Sequence, residues 1–553
     1  MSMRFVLTLH SHLPWVLHHG RWPHGSDWLT EAALDTYLPL VQSLNRLETA
    51  RTAAPITLGV TPVLAAQLAH PSFRTELDAY FAQRLEAIAA LPGELAASGE
   101  DELIPLADFW RSHIEALQRT WQEIGGDILA VFRRHADAGR IELISSAATH
   151  GFLPLLGRDE SIRLQLIVGR AEHARHFGEM PKGCWVPECA YRPRGPWQPL
   201  PAARYAADRA SIDEHLQYAG FQWFFVDAHL AEAGEAYDLY SGKKRRITRG
   251  ANAGSPYRAY QVRDAGRGRP VHVLVRDPRT TAQVWSRHGG YPGDGRYLEF
   301  HKIRYPGGLK LWSVTDTTAD LGAKERYHPD QASHVVAQHA SHFRALLDSV
   351  AQGASRHDRV IVAPFDTELF GHWWFEGVDF LEQLFAGLDG DADVVPTTAG
   401  RLLQEGAPNT RISLGEGSWG ANGDFSMWLN QETAWTWERL WPLEERFWNA
   451  APFAVTRPDL FPVLEQAARE LLLAQSSDWQ FIISTGAAGD YATKRFVEHC
   501  EALESLLPAL EGAPVDREGL RHHVSHLEAM DGCFSDLVGA VAAASDIPKP
   551  SVE

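Results

Sequence analysis

The chain has 553 residues, of which 45% are hydrophobic and 22% are charged, and its formal net charge at pH 7 is −18. A surface this acidic repels nucleic acid and anionic lipid, so the composition excludes these partners and favours neutral ones. No run approaches the ~18 apolar residues of a membrane span.

The cysteines indicate the redox compartment. Cys184, Cys189, Cys500 and Cys533 are too few for a disulfide framework in so long a chain, which fits a reducing cytoplasm. Cys184 and Cys189 are too far apart for a zinc half-site, so we interpret them as buried thiols. The N-terminal residues lack the long apolar region of a secretion signal. We expect a cytoplasmic monomer or small homo-oligomer with two to four domains.

Seven short apolar runs predict buried parallel strands, and helical patterns lie between most of them. Strands and helices that alternate in this way favour a parallel α/β sheet or barrel. Each run ends in polar or charged residues: His10 and His12, Thr61, His150, Glu188, Asp227, Arg276 and Asp277, and Asp366 and Glu368. In a barrel, the carboxyl ends of the strands form the catalytic face.

Three segments lie outside this pattern. Residues 72–140 are helical and charged, and we interpret them as an insertion between the second and third strands. Residues 232–262 are rich in glycine and basic residues and predict a long loop, either an active-site lid or a solvated segment. After about residue 405 the apolar residues show helical spacing, so we predict a catalytic domain over 1–404 and an α-helical domain over 405–553.

Glu188 and Asp366 stand out because each follows a predicted buried strand and the two strands are far apart in the chain. Glycoside cleavage needs two carboxyl groups that flank the scissile bond, one ionised and one protonated. Burial and like charge can separate the two pKa values. The alternative is that each carboxylate caps a helix or pairs with an arginine.

His10 and His12 form an H-x-H pair whose side chains face the same side of a strand. With Asp366 the pair could ligate zinc or manganese, or it could hydrogen-bond sugar hydroxyls, and His150 could belong to the same cluster. A metal usually needs a third close ligand, and the sequence does not show which residue would supply it. We expect no metal ion and no cofactor.

The 19 tryptophans have two interpretations. Their rings can fill a core, or their flat faces can stack on a sugar. Trp419 lies in the Gly-rich stretch GEGSWGANGDF, which predicts a loop, and it is the candidate for a sugar platform.

Five motifs, in chain order, resemble glycoside hydrolase family 57. They are HSHLP (10–14), ELISSAATHGFLPLL (142–156), GCWVPECAY (183–191), APFDTELFGHWWFEG (363–377) and WGANGDFSMWLNQETAWTW (419–437). The resemblance implies an α/β fold, an incomplete (β/α)7 barrel with a helical insertion and a C-terminal all-α domain. It also implies a retaining mechanism, with Glu188 as nucleophile, Asp366 as general acid/base and Glu368 as the rival for the second role.

Within the family, the chain resembles the branching enzymes, which cleave α-1,4-glucan and transfer the cut chain to a 6-hydroxyl. The resemblance therefore implies α-1,4-glucan (amylose or glycogen) as donor and acceptor. A 4-α-glucanotransferase or α-amylase of the same family is the alternative. More distant alternatives are a metal-dependent α-mannosidase or carbohydrate deacetylase, and a non-catalytic glucan-binding protein. The residues expected to contact glucan are His10, His12, His150, Tyr240, Arg276, Trp285, Gly293, Trp419, Trp428 and Asp478.

Overall fold

The computed structural model of the protein describes residues 2–231, 235–237, 244–246, 254–262, 270–286, 289–355 and 357–546. Its centre is a curled sheet of ten strands. In chain order they are β1 Met3–Ser11, β2 Thr57–Val60, β3 Glu142–Ser146, β4 Gly183–Trp185, β5 Trp223–Val226, β6 Ala259–Val262, β7 His272–Val275, β8 Val360–Asp366, β9 Val394–Pro396 and β10 Arg411–Ile412. Their order across the sheet is β8–β1–β2–β3–β4–β5–β7–β6–β10, and β9 also pairs with β1.

The row from β8 to β7 is parallel throughout. Its members are the seven strands that the apolar runs predict, so the expected α/β fold with an incomplete (β/α)7 barrel is confirmed. In the described part of the chain, β7 and β8 form no ladder, and a single backbone bond (Asp277 N–H to Val362 O, 2.8 Å) connects them directly. The carboxyl ends of the seven strands therefore meet around one cleft.

Three strands of the sheet, β6, β9 and β10, lie outside the seven predicted runs. β6 is antiparallel to β7, and β10 pairs with β6 in parallel. β6 lies inside the segment predicted as a loop, where a hairpin of Glu235–Tyr237 and Lys244–Arg246 also forms. β10 follows residue 405, where only helices are expected. β6 has the sequence AYQV and β10 has RI, and neither belongs to a continuous apolar run like those of the seven predicted strands. A separate hairpin pairs Gly195–Trp197 with Ala206–Arg209.

Helices cover the sheet and form the rest of the molecule. They are α1 Ser26–Ala32, the π-helix Ala33–Tyr37, α2 Leu38–Ala50, α3 Pro62–Leu68, α4 Pro71–Ser98, α5 Pro105–Glu123, α6 Ile128–Asp137, α7 Asp159–Phe177, α8 Ile212–Ala219, α9 Pro278–Trp285, α10 Pro329–Gly353, α11 Gly377–Leu388, α12 Ala399–Glu405, α13 Ala434–Ala454, α14 Phe461–Ala474, α15 Asp478–Thr485, α16 Gly489–Leu510, α17 Arg517–Asp531 and α18 Leu537–Ala544. Short 3-10 turns are Asp101–Leu103, Leu153–Leu155, Pro187–Cys189, Ala228–Ala231, Tyr291–Gly293, Leu321–Ala323, Thr367–Leu369, Ala421–Gly423 and Pro458–Leu460.

Local sequence signals explain many helix ends. Proline occupies the first position of α3, α4 and α5, where no backbone donor is needed. Ser211 and Glu214 form a capping box at the start of α8, and Gly99 ends α4 in the left-handed conformation (φ 71°). Helices α4 to α6 lie between β2 and β3, where the insertion is predicted. The domain boundaries themselves stay a prediction.

The C-terminal helices pack directly on the barrel. One continuous set of buried apolar side chains joins the sheet, the inserted helices and helices α13 to α18. The indole N–H groups of Trp441 and Trp448 donate to Leu155 O and Ser161 Oγ, each over 2.8 Å. All four cysteines are buried free thiols, as predicted. No helix in the described ranges is both long and apolar enough to cross a bilayer.

A second junction ties the loop after β1 to the last helices. His19 Nε2 lies 2.7 Å from Asp531 Oδ1, and Trp15 Nε1–H donates to Met530 O over 3.1 Å. Arg495, which is 1% exposed, donates to Trp15 O over 2.9 Å. Because His10 lies near the end of β1 and His12 follows the strand directly, this junction ties the segment with the histidine pair to the last helices.

Candidate active site

Glu188 lies on the turn that directly follows β4. Its backbone is left-handed (φ 60°), and so is that of Cys189 (φ 48°). Such conformations in residues other than glycine cost ~1–3 kcal/mol each and persist where the surroundings hold them. Here the backbone N–H of Trp419 donates to Glu188 O over 2.9 Å, and Tyr191 N–H donates to Gly417 O over 2.8 Å. The loop around residue 419 therefore holds the strained turn.

The Glu188 carboxyl is 16% exposed and has partners on both oxygens. Trp419 Nε1–H donates to Oε2 over 2.7 Å, and Ser477 Oγ–H donates to Oε1 over 3.4 Å. Burial raises the pKa of Glu188 to about 8, and the charges of Asp366 and Asp478 add to the rise. The Trp419 hydrogen bond opposes it, because it stabilises the carboxylate.

Asp366 is the last residue of β8, and its Cα pairs with that of His10 across the sheet. Burial raises the pKa of Asp366 to about 8, the like charge of Glu368 adds to the rise, and Arg276 opposes it. Among the described residues, none donates a hydrogen bond to this carboxyl. The Asp366 charge is one of the causes that raise the pKa of Glu188, so the two carboxyls lie near enough to interact.

Arg276 follows β7 and supplies the positive charge beside these carboxyls. It is 2% exposed, and its Nη1 and Nε donate to Asp227 Oδ2 (3.1 Å) and Thr281 Oγ1 (2.9 Å). Burial alone would raise the pKa of Asp227, but Arg276, His229 and the backbone N–H of Ala228 together outweigh burial and lower the pKa to about 2. The guanidinium carbon lies 5.1 Å from the centre of a Trp419 ring. The ion pair thus supports the indole that binds Glu188.

The histidines at the ends of β1 and β3 form a hydrogen-bonded cluster. His10 Nε2 lies 3.0 Å from His150 Nε2. His12 Nδ1 lies 3.1 Å from Thr61 Oγ1, and its Nε2 lies 2.9 Å from Asp478 Oδ2. His10 and His150 are 2% and 4% exposed. They therefore sit beneath the cleft, whereas His12 and Asp478 reach its surface with side chains 11% and 16% exposed.

The same cluster bears on the metal hypothesis. Ligand atoms of His12, His150 and Asp478 lie within 4.8 Å of one another. Asp366, the carboxylate expected to complete a metal site, has no hydrogen bond to His10 or His12 within the described structure. Burial and the neighbouring imidazoles hold the pKa of both His10 and His150 well below the usual range. Of this cluster, His12 and Asp478 are the members whose side chains reach the cleft surface, and the expected contact of His10 and His150 with glucan stays a prediction.

Trp428 requires a correction. Its side chain is fully buried, and its ring stacks on Phe152 with centroids 4.3 Å apart. A ring with no exposed face cannot bind glucan, so Trp428 belongs to the core beneath the Trp419 loop. Tyr240 lies outside the described residues.

Trp285 and Gly293 lie on the segment that follows Arg276. Trp285 ends α9 and is half-buried, with its ring 6.1 Å from that of Trp373. Gly293 ends the turn Tyr291–Gly293 and is also half-buried. No contact between described residues joins either of them to Glu188 or Asp366, so their expected role in substrate binding stays a prediction.

Three residues of the site have no sequence signal that identifies them. Ser477 contacts both Glu188 and His150, the latter over 2.9 Å. Trp185 stacks on His10, with ring centroids 4.6 Å apart. Tyr37 donates a hydrogen bond from its hydroxyl to Glu368 Oε1. Ser477 and Tyr37 come from helical regions whose approach to the cleft depends on tertiary packing.

The model of glycosyl hydrolase family 57 matches residues 6–397, which include both carboxyls. The chain belongs to this family. A second model, described as the C-terminal region of 1,4-alpha-glucan branching enzyme, matches residues 445–541, which include Ser477 and Asp478. The family resemblance expected from the five motifs is thus confirmed.

Family 57 relatives match almost the whole chain. A 1,4-alpha-glucan branching enzyme of Thermococcus kodakarensis is 40% identical over 513 residues, which is 92% of this chain and 73% of the relative. Its crystal structure aligns with a TM-score of 0.87 at 37% identity, over 98% of this chain and 96% of the other. The branching enzyme of Pyrococcus horikoshii gives 0.88 at 34% identity, over 100% and 98%. The α-amylase AmyC of Thermotoga maritima gives 0.78 at 28% identity, over 98% and 99%.

Proposed function

We propose that this protein is a retaining 1,4-α-glucan branching enzyme, which cuts an α-1,4-glucan and transfers the cut chain to a 6-hydroxyl. One observation carries the proposal: Ser477 and Asp478 complete the cleft that contains Glu188 and Asp366. These two residues lie in the region that matches the branching-enzyme C-terminal model. The named activities of the Thermococcus and Pyrococcus relatives support the same conclusion.

In the first step, Glu188 attacks C1 of the glucose unit at the scissile bond. Asp366 gives its proton to the glycosidic oxygen, and the departing chain leaves with a new hydroxyl. The anomeric carbon is then bonded to the Glu188 carboxyl as a covalent ester. Because Trp419 binds Oε2 by the shorter hydrogen bond, we infer that Oε1, whose contact with Ser477 is longer, forms this ester.

In the second step, Asp366 acts as a base. It accepts the proton of the acceptor's 6-hydroxyl as that oxygen attacks C1, and Glu188 leaves as a carboxylate. The product carries an α-1,6 bond with the configuration of the original linkage. Retention of this kind requires carboxyl groups about 5–5.5 Å apart.

The test is incubation of the purified protein with amylose, with new α-1,6 linkages counted by proton NMR. We expect branches to accumulate with little free sugar, and we expect Glu188→Gln to abolish them. A wild-type protein that forms no α-1,6 linkage would refute the branching activity.

The similarity to AmyC favours hydrolysis as the second candidate. A branching enzyme and an amylase share the first step and differ in whether a sugar hydroxyl or water attacks the ester. Reducing ends measured before and after treatment with a debranching enzyme separate the two. Branching predicts many new short chains after debranching, whereas hydrolysis predicts that debranching adds none.

A further inference from the structure

The π-helix Ala33–Tyr37 packs against the turn that follows Asp366. π-helical turns are rare and often occur at functional sites. Tyr37 OH donates to Glu368 Oε1, and His372 N–H donates to Thr36 Oγ1 over 3.1 Å. A third contact places His372 Nδ1 3.3 Å from Asp35 Oδ2. Three successive residues of the π-helix therefore make polar contacts with one segment, residues 368–372.

The two segments touch through their backbones. Gly371 has φ +122°, and a Cβ on it would lie 1.9 Å from Asp35 O. Only glycine fits in this contact, because the obstructing atom belongs to the main chain. The π-helix is thus in direct contact with the turn that carries Glu368, and its position sets the position of that turn.

Glu368 is fixed more firmly than Asp366. It is 6% exposed, and Oε1 accepts from Tyr37 OH and also from the backbone N–H of His12, over 3.2 Å. Burial raises the pKa of Glu368 to about 7, while the hydrogen bonds from Tyr37 and the His12 backbone oppose the rise. Near neutral pH, Glu368 therefore carries part of a negative charge, two residues from Asp366.

Charged groups from several elements face this pair. Glu368 from the same turn makes Asp366 harder to ionise, and Arg276 after β7 makes it easier. Across the cleft, the charges of Asp366 and Asp478 raise the pKa of Glu188, and His12 lowers it. Glu368 is the negative side chain that acts on Asp366 from the same turn, and Tyr37 and the His12 backbone hold it in place.

We propose that Glu368, held by Tyr37 of the π-helix, is a positioning residue whose negative charge keeps the proton on Asp366 until the glycosidic oxygen takes it. The inference rests on the proposed function and adds a residue to its machinery. Glu368 touches neither the sugar nor the proton in this scheme. It acts because two adjacent carboxyls resist joint ionisation.

The first test is the pH profile of kcat/KM on amylose for Glu368→Gln. The amide keeps the shape and the acceptor oxygen but removes the charge. We expect the alkaline limb to move about one unit toward lower pH, because Asp366 then loses its proton more easily. An alkaline limb that stays in place while kcat falls would show a structural role only and overturn the proposal.

Glu376→Gln is the matched control. Glu376 is also buried, its Oε1 also accepts from a tyrosine hydroxyl (Tyr327, 2.7 Å) and a backbone N–H (Leu298, 3.0 Å), and burial raises its pKa to about 7. It does not act on Asp366. We expect the alkaline limb of this variant to match the wild type. A shift as large as that of Glu368→Gln would contradict the assignment to Glu368.

Tyr37→Phe provides a second variant in case Glu368→Gln does not fold. Removing the hydroxyl makes Glu368 harder to ionise, so its charge on Asp366 weakens and the alkaline limb should move in the same direction by a smaller amount. An unmoved limb in a folded Tyr37→Phe protein counts against the proposal.

A donor with a fluoride leaving group separates this inference from the proposed function. Fluoride leaves α-maltosyl fluoride without a proton from Asp366, so Glu368→Gln should release its first equivalent of fluoride at the wild-type rate. If the wild-type protein neither forms branches nor releases fluoride, the proposed function is refuted. The inference about Glu368 is then refuted as well, because it rests on that function. If the wild-type protein is active but the alkaline limbs of Glu368→Gln and Tyr37→Phe do not shift, only the inference about Glu368 is refuted.

Discussion

The hydrogen bond from Trp419 to Glu188 indicates which oxygen of the proposed nucleophile is free. Trp419 is expected from the sequence to be a sugar platform, and the structure shows that its N–H also binds Glu188 Oε2 over 2.7 Å. The indole therefore does two things that substitution can separate. Its ring can shield the ester from water, while its N–H orients the carboxylate.

Trp419→Phe tests the second role. The phenyl ring keeps most of the apolar face but lacks the donor. Hydrogen bonds to charged groups are worth ~1.5–3 kcal/mol, so we expect kcat/KM on amylose to fall by about 10- to 100-fold. The ratio of transfer to hydrolysis should stay near the wild-type value.

Trp419→Ala removes both the ring and the donor, so we expect hydrolysis to increase relative to transfer. Trp22→Ala, at a tryptophan that is 74% exposed, serves as the control. An unchanged ratio in Trp419→Ala would show that the ring does not exclude water.

The raised pKa of Glu188 also predicts a pH-dependent stability. A carboxyl whose pKa is about 8 in the folded chain and ~4.3 when unfolded binds more protons in the folded state. The contribution of this carboxyl to the free energy of unfolding is therefore fully present below pH ~4 and is lost as the pH rises through 8.

Glu188→Gln should therefore have nearly the same Tm as the wild type at pH 4.5 and a clearly higher Tm at pH 8.5, with a gain in the free energy of unfolding of ~5 kcal/mol at most. Calorimetry at both pH values measures this, with Glu405→Gln, an exposed carboxyl, as the control. A Tm difference that does not change with pH would contradict the raised pKa.

At the scale of elements, two helical segments bring side chains to the ends of the strands. The connection between α14 and α15 supplies Ser477 and Asp478, and the π-helix supplies Tyr37. Neither segment is near the strand ends in sequence. The cleft is therefore built by packing between elements, and its geometry depends on contacts such as the one at Gly371.

Gly371→Ala tests this dependence. The methyl group would collide with Asp35 O in a backbone conformation that already disfavours alanine, so the turn must move away from the π-helix. We expect a loss of ~2 kcal/mol or more in stability and a fall in kcat that exceeds the change in KM. Gly353→Ala, at a glycine with open space around it, is the control. Wild-type kcat in Gly371→Ala would show that the π-helix contact does not position the turn.

At the scale of the whole molecule, the sequence predicts the seven parallel strands and the cleft at their ends. It does so because buried strands leave continuous apolar runs, and parallel strands place their carboxyl ends together. Glu188, Asp366 and the histidines follow directly from that rule.

Sequence patterns do not predict the parts of the site that depend on packing. Ser477 lies in the stretch AQSSDW, which has no local signature of a contact with Glu188. Trp428 and Trp419 are nine residues apart in one motif, yet one is buried and the other lines the cleft. The two rings differ in exposure because the packed helices cover one of them and not the other. The spacing of tryptophans along the sequence does not show which ring is covered.

The junction between the loop after β1 and the last helices sets the order of events during synthesis. The contact between His19 and Asp531 spans 512 residues of chain. Nearly the whole polypeptide must therefore leave the ribosome before this contact can form, and until then the segment after His10 and His12 is not joined to the last helices. We expect a nascent chain halted before α14 to lack a working cleft, so that newly made protein begins to act on glucan only after translation is almost complete.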